Sequence, residues 1–356
     1  MNILLTGGGT LGSVTPLLAV VDELTHQYRS FKFVWLGTTE GPERLLVEQA
    51  GIQFKAIPSG KWRRYFSWQN IIDLFRILAG FILSLYWLKR LKVQGVVAAG
   101  GFVSVPVGWA AWLWRIPLVI HQQDIEHSLS NRLLSWCANK ITVASEESVK
   151  DFPKNKVSFI GNPIRSIYQQ QFKQDQVLSD LGLNPKRATI LVVGGGTGAD
   201  FINKLVAESW PSLLAFCQII LITGKNKNVK VEPSAGLVVK DLVTTELPAL
   251  MQAVDLIVSR AGMGFISELA YLSKPSVIVP IPKSHQEQNA AYLSKHQAAL
   301  VMAQSDLNPD YLVNQLKDLL EDQERQLKLA DNLHKLFPSG ASKALANIII
   351  QEIKKV

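Results

Sequence analysis

The chain is sparing with cysteine, with charge and with unbroken apolar runs, and each shortage removes a class of protein. Only two cysteines occur in 356 residues. Cys137 and Cys217 stand far apart in apolar surroundings, so they read as buried thiols of a reducing cytosol rather than a disulfide. No cysteine or histidine spacing for a metal accompanies them, and no aspartate-x-aspartate pair offers itself to a divalent cation. The N-terminus enters directly into a strand pattern, so no signal peptide is expected. The apolar stretch over 71–91 is interrupted by Asp73, Arg76, Lys89 and Arg90. Its uncharged part, Ile77 to Leu88, covers twelve residues, which is too short to cross a bilayer. Charged residues make up 19% of the chain against 47% apolar ones. That balance is globular, with an aliphatic surplus suited to touching something greasy.

What is present begins with length, enough for two domains of about 150 to 190 residues each. The net charge of +8 and a pI near 9.3 favour an anionic partner, either nucleic acid or an anionic membrane surface. Strand and helix patterns alternate throughout, which argues for parallel sheets covered by helices. Strands are expected near Ile3 to Leu5, Phe31 to Leu36, Phe54 to Ile57, Gly95 to Ala99, Pro117 to His121, Lys140 to Val143 and Val157 to Ile160. Gly161-Asn162-Pro163-Ile164-Arg165 and a glutamine-rich run to Asp175 then read as an interdomain linker. The second half restarts with a strand over Ala188 to Val193, followed by Gln218 to Ile222, Leu237 to Lys240, Leu256 to Ser259 and Ser276 to Val279. The expected architecture is α/β, two Rossmann-like parallel-sheet domains facing a cleft, over 1–162 and 163–340. A last apolar helix from about 340 to 356 is expected to pack back on the first domain.

Glycine turns carry most of the chemistry. Thr6 to Pro16 runs from a strand through Gly7, Gly9 and Gly12 into a helix whose Val14, Leu17, Leu18, Val21 and Leu24 share a face. Its G-x-G-x-x-G spacing fits a dinucleotide pyrophosphate on a helix N-terminus. That fingerprint also asks for an acidic residue at the end of the second strand, where Gly37-Thr38-Thr39 stand instead and Glu40 comes late, so a plain tight turn fits as well. A similar turn, Gly194-Gly195-Gly196-Thr197-Gly198, opens the second half, and Gly100-Gly101-Phe102 follows a third strand. After the strand at Ser259, the loop Arg260-Ala261-Gly262-Met263 exposes amides at a helix start with Glu268 inside the helix. This suits a nucleotide, with amides toward phosphate and the carboxylate on ribose hydroxyls, and it equally suits a capped helix with a solvated glutamate. His285-Gln286-Glu287-Gln288-Asn289 brings mostly uncharged hydrogen-bonding groups to a strand's carboxyl end, a match for sugar hydroxyls.

Asp124, Glu126 and His127 form the dense group of proton-transfer side chains in the first half, and they are the candidates for acid-base work. His121 reads by default as a strand-end histidine bonded inside. Lys61-Trp62-Arg63-Arg64-Tyr65-Phe66-Ser67-Trp68 mixes cations with aromatics and leads into a helix bearing Phe75, Leu78, Phe81, Ile82, Leu85, Tyr86 and Leu88. That composition favours an anionic bilayer interface. No stacking sheet or reading helix supports nucleic acid, while a buried domain-core helix remains the plain alternative. Trp109, Trp112 and Trp114 are expected to be partly core.

Taken together, these motifs resemble the MurG family of peptidoglycan UDP-N-acetylglucosamine transferases, of the two-domain GT-B fold (glycosyltransferase family 28). The resemblance spans essentially the whole chain. It is carried by Gly8-Gly9-Thr10 with Gly12, Val14 and Pro16; Leu36-Gly37-Thr38 with Glu43 and Gly51-Ile52; Gly100-Gly101-Phe102 with Ser104 and Pro106; His121-x-Gln123 followed by Leu129-Ser130-Asn131; Gly161 to Arg165; Gly194-Gly195 with Gly198-Ala199 and Asn203; Arg260-Ala261-Gly262 with Glu268; and His285-Gln286 with Asn289-Ala290. The resemblance implies transfer of N-acetylglucosamine from UDP-N-acetylglucosamine (UDP-GlcNAc) to lipid I, undecaprenyl-pyrophosphoryl-MurNAc-pentapeptide, giving lipid II with inversion and without a cofactor. It implies ribose binding by Glu268, sugar-hydroxyl contacts from Gln286, His285 and Asn289, and uracil read by backbone over Leu242 to Thr244. The diphosphate side falls on Arg165, Gly195, Gly196 and Asn203, with Arg260, Gly262 and Met263 as further substrate-binding residues. The acceptor side falls on Thr10, Gly12, Ser13 and Asn131. It further implies a peripheral enzyme on the cytoplasmic side of the cell membrane, with other cell-wall synthesis proteins as potential neighbours.

The chain departs from the family at telling places. The family's G-G-T-G-G-H has Leu11 for a glycine and Ser13 for the histidine, and its H-E-Q-N reads His121-Gln122-Gln123-Asp124. A serine hydroxyl is a poor base near neutral pH without an activator, so the proton-accepting role is expected at Asp124, with Ser13 and His127 as the other catalytic candidates. The departures keep two other readings open: a GT-B transferase for another lipid acceptor such as diacylglycerol, and a non-catalytic nucleotide-sugar or membrane-binding protein.

Overall fold

The computed structural model describes residues 1–10, 12–28, 31–60, 68–194, 200–224, 227, 229, 231–241, 243 and 245–355. The chain divides into two compact units, Met1–Ser166 with Pro338–Val356, and Ile167–Phe337.

The first unit is built on seven parallel strands: β1 (Asn2–Thr6), β2 (Lys32–Gly37), β3 (Gln53–Ala56), β4 (Gly95–Ala98), β5 (Leu118–Gln122), β6 (Lys140–Val143) and β7 (Val157–Phe159). Their order is β3-β2-β1-β4-β5-β6-β7. In register, Leu4 stands between Val34 and Val96. Successive side chains of a strand point to opposite faces. Ile3 and Leu5 accordingly join one core and Leu4 the other. A parallel sheet covered on both faces needs near-continuous apolar strands, and this is why the strands stand out in the sequence. The chain leaves β1 toward β2 on one side and comes back to β4 on the other, so the order reverses between β1 and β4. In open α/β sheets this reversal opens the crevice where ligands bind.

Five helices connect these strands: α1 (Thr15–Gln27), α2 (Glu43–Gln49), α3 (Trp68–Arg90), α4 (Ser104–Leu113) and α5 (Leu129–Leu134). α3 corrects the expectation of a stretch too short to span. It has 23 residues, and Ile71–Arg90 is long and apolar enough to cross a membrane by length and composition. One stripe of it nevertheless docks on protein. Asp73, Ser84 and Leu88 are buried, and Gly80 lacks the side chain that would collide with the Pro58 carbonyl. Trp114 Nε1 donates to the Leu85 carbonyl at 3.2 Å. The other stripe is bare, with Ile72, Phe75, Leu78 and Ile82 between 52% and 67% exposed. The tryptophans are also more open than expected: Trp112 and Trp114 are about half exposed, and Trp112 meets exposed Trp136 edge to face at 4.9 Å.

The second unit repeats the plan with six parallel strands: β8 (Thr189–Val193), β9 (Gln218–Ile222), β10 (Leu237–Lys240), β11 (Leu256–Ser259), β12 (Ser276–Ile278) and the two-residue β13 (Leu300–Val301). The order β10-β9-β8-β11-β12-β13 reverses between β8 and β11. Its helices are α6 (Gln174–Asp180), α7 (Asp200–Leu213), α8 (Leu247–Ala253), α9 (Met263–Tyr271), α10 (His285–Lys295), α11 (Pro309–Glu321) and α12 (Gln323–Leu336). The glutamine-rich run read as a linker is held on this unit. Tyr168 is buried with its hydroxyl 3.9 Å from Met251 Sδ, the Gln252 side chain accepts from Phe172 N at 3.3 Å, and it donates to the Gln170 carbonyl at 2.8 Å.

The chain ends in α13 (Ala341–Lys354), which belongs to the first unit. Leu345, Ala346, Ile349, Ile350 and Ile353 join the core of Ile3, Leu17 and Val97. Each fully buried aliphatic side chain contributes roughly 1.5–3 kcal/mol, so the segment is anchored there. Both cysteines are buried thiols; burial pushes Cys137 up to about 11 and Cys217 up to about 12.

Candidate functional site

Beside the reversal of the first sheet, three loops converge. The β1–α1 glycine turn and the Gly100-Gly101-Phe102 turn after β4 touch directly. A side chain on Gly101 (φ 81°) would overlap the Gly8 carbonyl, and a Cβ on Gly9 (φ 84°) would come 2.9 Å from the Phe102 ring. Both positions therefore require glycine. The glycine turn also holds an anion of its own. Glu43, at the start of α2, is fully buried; Oε2 accepts Gly9 N–H at 3.2 Å, and Oε1 accepts Thr38 N–H at 2.7 Å and the Thr38 hydroxyl at 2.5 Å. A carboxylate thus occupies the Gly9 amide that a dinucleotide pyrophosphate would use. Thr10 and Gly12 lie exposed on the turn, whereas Ser13 is buried and its hydroxyl donates back to the Thr10 carbonyl at 3.2 Å. Leu11 lies outside the described residues. A cleft of about 530 Å³ opens beside the turn, lined by Gly9, Thr38, Ser59, Asp73, Arg76 and Phe102.

The third loop follows β5. His121 is fully buried, with Nδ1 2.9 Å from the Thr142 hydroxyl and Nε2 2.9 Å from Asn162 Oδ1. Burial lowers its pKa to about 4, against a smaller opposing effect of the Asn162 bond, so the ring is neutral and structural at pH 7. Asn131, also buried, donates to the His121 carbonyl at 3.0 Å and to Gln122 Oε1 at 2.8 Å, while its own Oδ1 has no partner among the described residues. Gly100 lies against this group: a Cβ there would stand 3.6 Å from the Ser128 hydroxyl and 3.8 Å from Asn131 Nδ2.

The acid-base candidates occupy the same loop. Asp124 is half-buried and Glu126 exposed. His127 is also half-buried and turns Nδ1 to Asp151 Oδ2 at 3.4 Å. Asp151 ends the short 3₁₀ segment Glu146–Asp151 after β6, a partner 24 positions from the histidine that no local motif announces. Among the described residues no group of three or more His, Cys, Asp or Glu side chains is arranged to hold a metal ion.

In the second unit the loop between β11 and α9 is braced from two sides. Gln286 Oε1 accepts from Ala261 N at 3.2 Å and from Ile281 N at 3.1 Å, and Asn289 Nδ2 donates to the Ala261 carbonyl at 3.0 Å. The carbonyl end of Gln286 is thus spent on backbone, and its amino end is what remains for a ligand. Buried Arg260 donates through Nη1 to the Val279 and Pro280 carbonyls and to Gln304 Oε1 at 2.9 Å, while its Nε lacks a partner among the described residues. Desolvation draws this guanidinium below its usual pKa. Gly262 caps α9, and nothing lies within 4 Å of where its Cβ would be, so the α9 N-terminus stays approachable. Met263 and Glu268 are buried within α9, and His285 is exposed at the first position of α10. Asn203, buried on α7, donates to the Thr223 carbonyl at 2.9 Å, and its Oδ1 is unpartnered among the described residues. Arg165, in the first unit, has a buried Nε without a partner among the described residues. Gly195, Gly196, Leu242, Thr244 and the basic aromatic segment 61–67 lie outside the described residues.

Residues 3–143 match the glycosyltransferase family 28 N-terminal domain, and residues 189–345 match the glycosyltransferase family 28 C-terminal domain. The chain is 33% identical over 359 residues to the UDP-N-acetylglucosamine–N-acetylmuramyl-(pentapeptide) pyrophosphoryl-undecaprenol N-acetylglucosamine transferase of Bacillus pumilus, covering 98% of each. It is 37% identical over 326 residues to the protein of the same description from Clostridium botulinum (strain Loch Maree), covering 90% of this chain and 91% of that one. Among solved structures it is similar to MurG of Acinetobacter baumannii, with 26% identity, a TM-score of 0.72, and 98% and 99% of the two chains covered.

Proposed function

The chain belongs to glycosyltransferase family 28, and we propose that it transfers N-acetylglucosamine from UDP-GlcNAc to lipid I, forming lipid II with inversion at the anomeric carbon. The observation that carries this reading is coverage: relatives described by that transfer align over 90% to 98% of the chain, through both units.

The donor is assigned to the second unit. Glu268 accepts from the ribose hydroxyls, and the approachable α9 N-terminus at Gly262 and Met263 meets the diphosphate. Arg260 lies beneath that loop, and its buried charge adds to the field on the departing UDP. His285, the amino end of Gln286 and the neighbourhood of Asn289 serve the sugar. Gly195, Gly196, Asn203 and Thr244 complete the assignment on the diphosphate and uracil sides.

The acceptor is assigned to the first unit, with Thr10, Gly12 and Asn131 around its pyrophosphoryl sugar. In a single displacement the acceptor hydroxyl attacks the anomeric carbon, Asp124 takes its proton, and UDP leaves. Ser13 is the weaker candidate because its hydroxyl hydrogen is already given to Thr10, and His127 is the alternative proton carrier. Because the acceptor is anchored in a bilayer, the enzyme works as a peripheral protein on the cytoplasmic face. The bare apolar stripe of α3 and the flanking Lys89 and Arg90 suit an anionic membrane surface.

Incubation with labelled UDP-GlcNAc and lipid I is expected to yield labelled lipid II, with no transfer to diacylglycerol. Labelled diacylglycerol would favour the other-acceptor reading, and UDP-GlcNAc binding without product from either acceptor would favour a non-catalytic protein.

A further inference from the structure

Gln122 is the last residue of β5 and is 1% exposed, and among the described residues its one side-chain partner is Asn131. Its Nε2 donates to the Asp124 carbonyl at 2.9 Å and to the Glu126 carbonyl at 3.0 Å. Its Oε1 accepts from Ser128 N at 3.2 Å and from Asn131 Nδ2 at 2.8 Å. A primary amide has two N–H donors and two acceptor lone pairs, so every hydrogen-bonding position of this side chain is taken.

Three of the four bonds end on the backbone of one loop, residues 123–128, which has no regular secondary structure of its own. That loop carries Asp124, Glu126 and His127. The bonded atoms lie at Asp124 itself and at the two residues flanking His127. The fourth partner, Asn131, ties the same amide to the His121 carbonyl at 3.0 Å, and His121 is fixed on both ring nitrogens by Thr142 and Asn162. Ser148 Oγ also donates to the Ile125 carbonyl at 3.1 Å and His127 faces Asp151, but the Gln122 amide makes three of the loop's bonds and is anchored in turn to the end of the sheet.

We propose that Gln122 is the positioning residue of the acceptor-side reaction: its saturated side-chain amide holds the loop that presents Asp124. The proposal rests on the transferase reading above. In this chain, where the family's H-E-Q-N has a glutamate, the two carbonyl and two N–H partners together match an amide. A carboxylate at this buried position would set a charged oxygen about 3 Å from two carbonyl oxygens, and only its protonated form supplies a donor. A thioether of similar length supplies no donor at all.

The test uses the full-length enzyme with UDP-GlcNAc and a short-chain, water-soluble lipid I analogue, in wild type, Gln122→Glu and Gln122→Met. For Gln122→Glu, kcat is expected to fall about tenfold or more as pH rises from about 6 to 9, through an ionisation absent from the wild type. For Gln122→Met, kcat falls by a similar factor at every pH. In both variants the KM for UDP-GlcNAc stays within about twofold, because the donor is assigned elsewhere. Hydrogen exchange gives a second readout independent of turnover: amides of 123–128, Ser128 first, exchange faster in Gln122→Met than in wild type. A wild-type pH profile in Gln122→Glu, or unchanged exchange over 123–128 in Gln122→Met, overturns the proposal. Absence of product from the wild type overturns the transferase reading instead, and the exchange comparison then still decides the role of Gln122 in holding the loop.

Discussion

The carboxylate of Glu43 accepts the amide hydrogen of Gly9, Oε2 to N 3.2 Å, so a residue from the second strand–helix connection closes the glycine turn after the first strand. The same carboxylate holds Thr38 through both its amide and its hydroxyl. A turn with dinucleotide spacing is thereby filled from within, and it becomes a wall of the neighbouring cleft.

Removing that carboxylate strands two backbone donors, of which Thr38 N is buried and Gly9 N half-buried. Glu43→Ala is expected to cost about 2–4 kcal/mol in urea unfolding, and Glu43→Gln distinctly less because its carbonyl oxygen still accepts. The wild type should show no NADH binding by fluorescence, since the Gly9 amide is occupied. Equal unfolding midpoints for Glu43→Ala and wild type would remove Glu43 as the brace.

Glu268→Ala should raise the KM for UDP-GlcNAc by about ten- to a hundredfold, the worth of hydrogen bonds to a charged group, with kcat little changed. Steady-state kinetics at saturating acceptor checks this. An unchanged donor KM would remove the ribose assignment.

Asp124→Asn should lower turnover by about a hundredfold or more while UDP-GlcNAc binding measured by calorimetry stays near wild type. An active variant would move the proton-accepting role, with His127 beside Asp151 next in line.

His121 supplies a pH dependence with a definite sign. Its folded pKa of about 4 lies below the ordinary 6.5, so the unfolded chain binds the proton more readily. The contribution to stability is full above about pH 6.5, declines as pH falls, and is gone below about pH 4, in total roughly 3 kcal/mol. In nuclear magnetic resonance titration the His121 ring should stay neutral at pH 5.5. Protonation near pH 6.5 would contradict its burial between Thr142 and Asn162.

The bare stripe of α3 should carry membrane contact. Phe75→Glu and Ile82→Glu are each expected to weaken binding to anionic vesicles by about tenfold or more, the scale of one large apolar side chain, and to leave turnover of a water-soluble acceptor unchanged. Vesicle sedimentation measures it. Undiminished binding by the double variant would shift the contact elsewhere.

The inner strands such as β4, β5, β8, β9 and β11 were readable because they lie buried on both faces and so appear as apolar runs, whereas β13, only two residues long, offers no pattern. The glycine turns were readable from spacing, since close approaches such as Gly101 to Gly8 leave no room for a side chain. The brace on Gly9 was not, because Glu43 reaches it across 34 positions from a helix start that looks solvated. Gln122 stayed hidden for a related reason: three of its four partners are main-chain atoms, which no motif records. For α3, composition alone left bilayer interface and buried core both open. Only the helical register of Asp73, Gly80, Ser84 and Leu88 shows which stripe docks and which is left bare.

The most direct measurement is the proton spectrum of the disaccharide formed from UDP-GlcNAc and the water-soluble lipid I analogue. A new N-acetylglucosamine residue joined to MurNAc by a β-linkage, inverted from the α-linked donor, is the predicted result. An α-linkage would contradict the single displacement, and absence of the disaccharide would contradict the transferase reading itself.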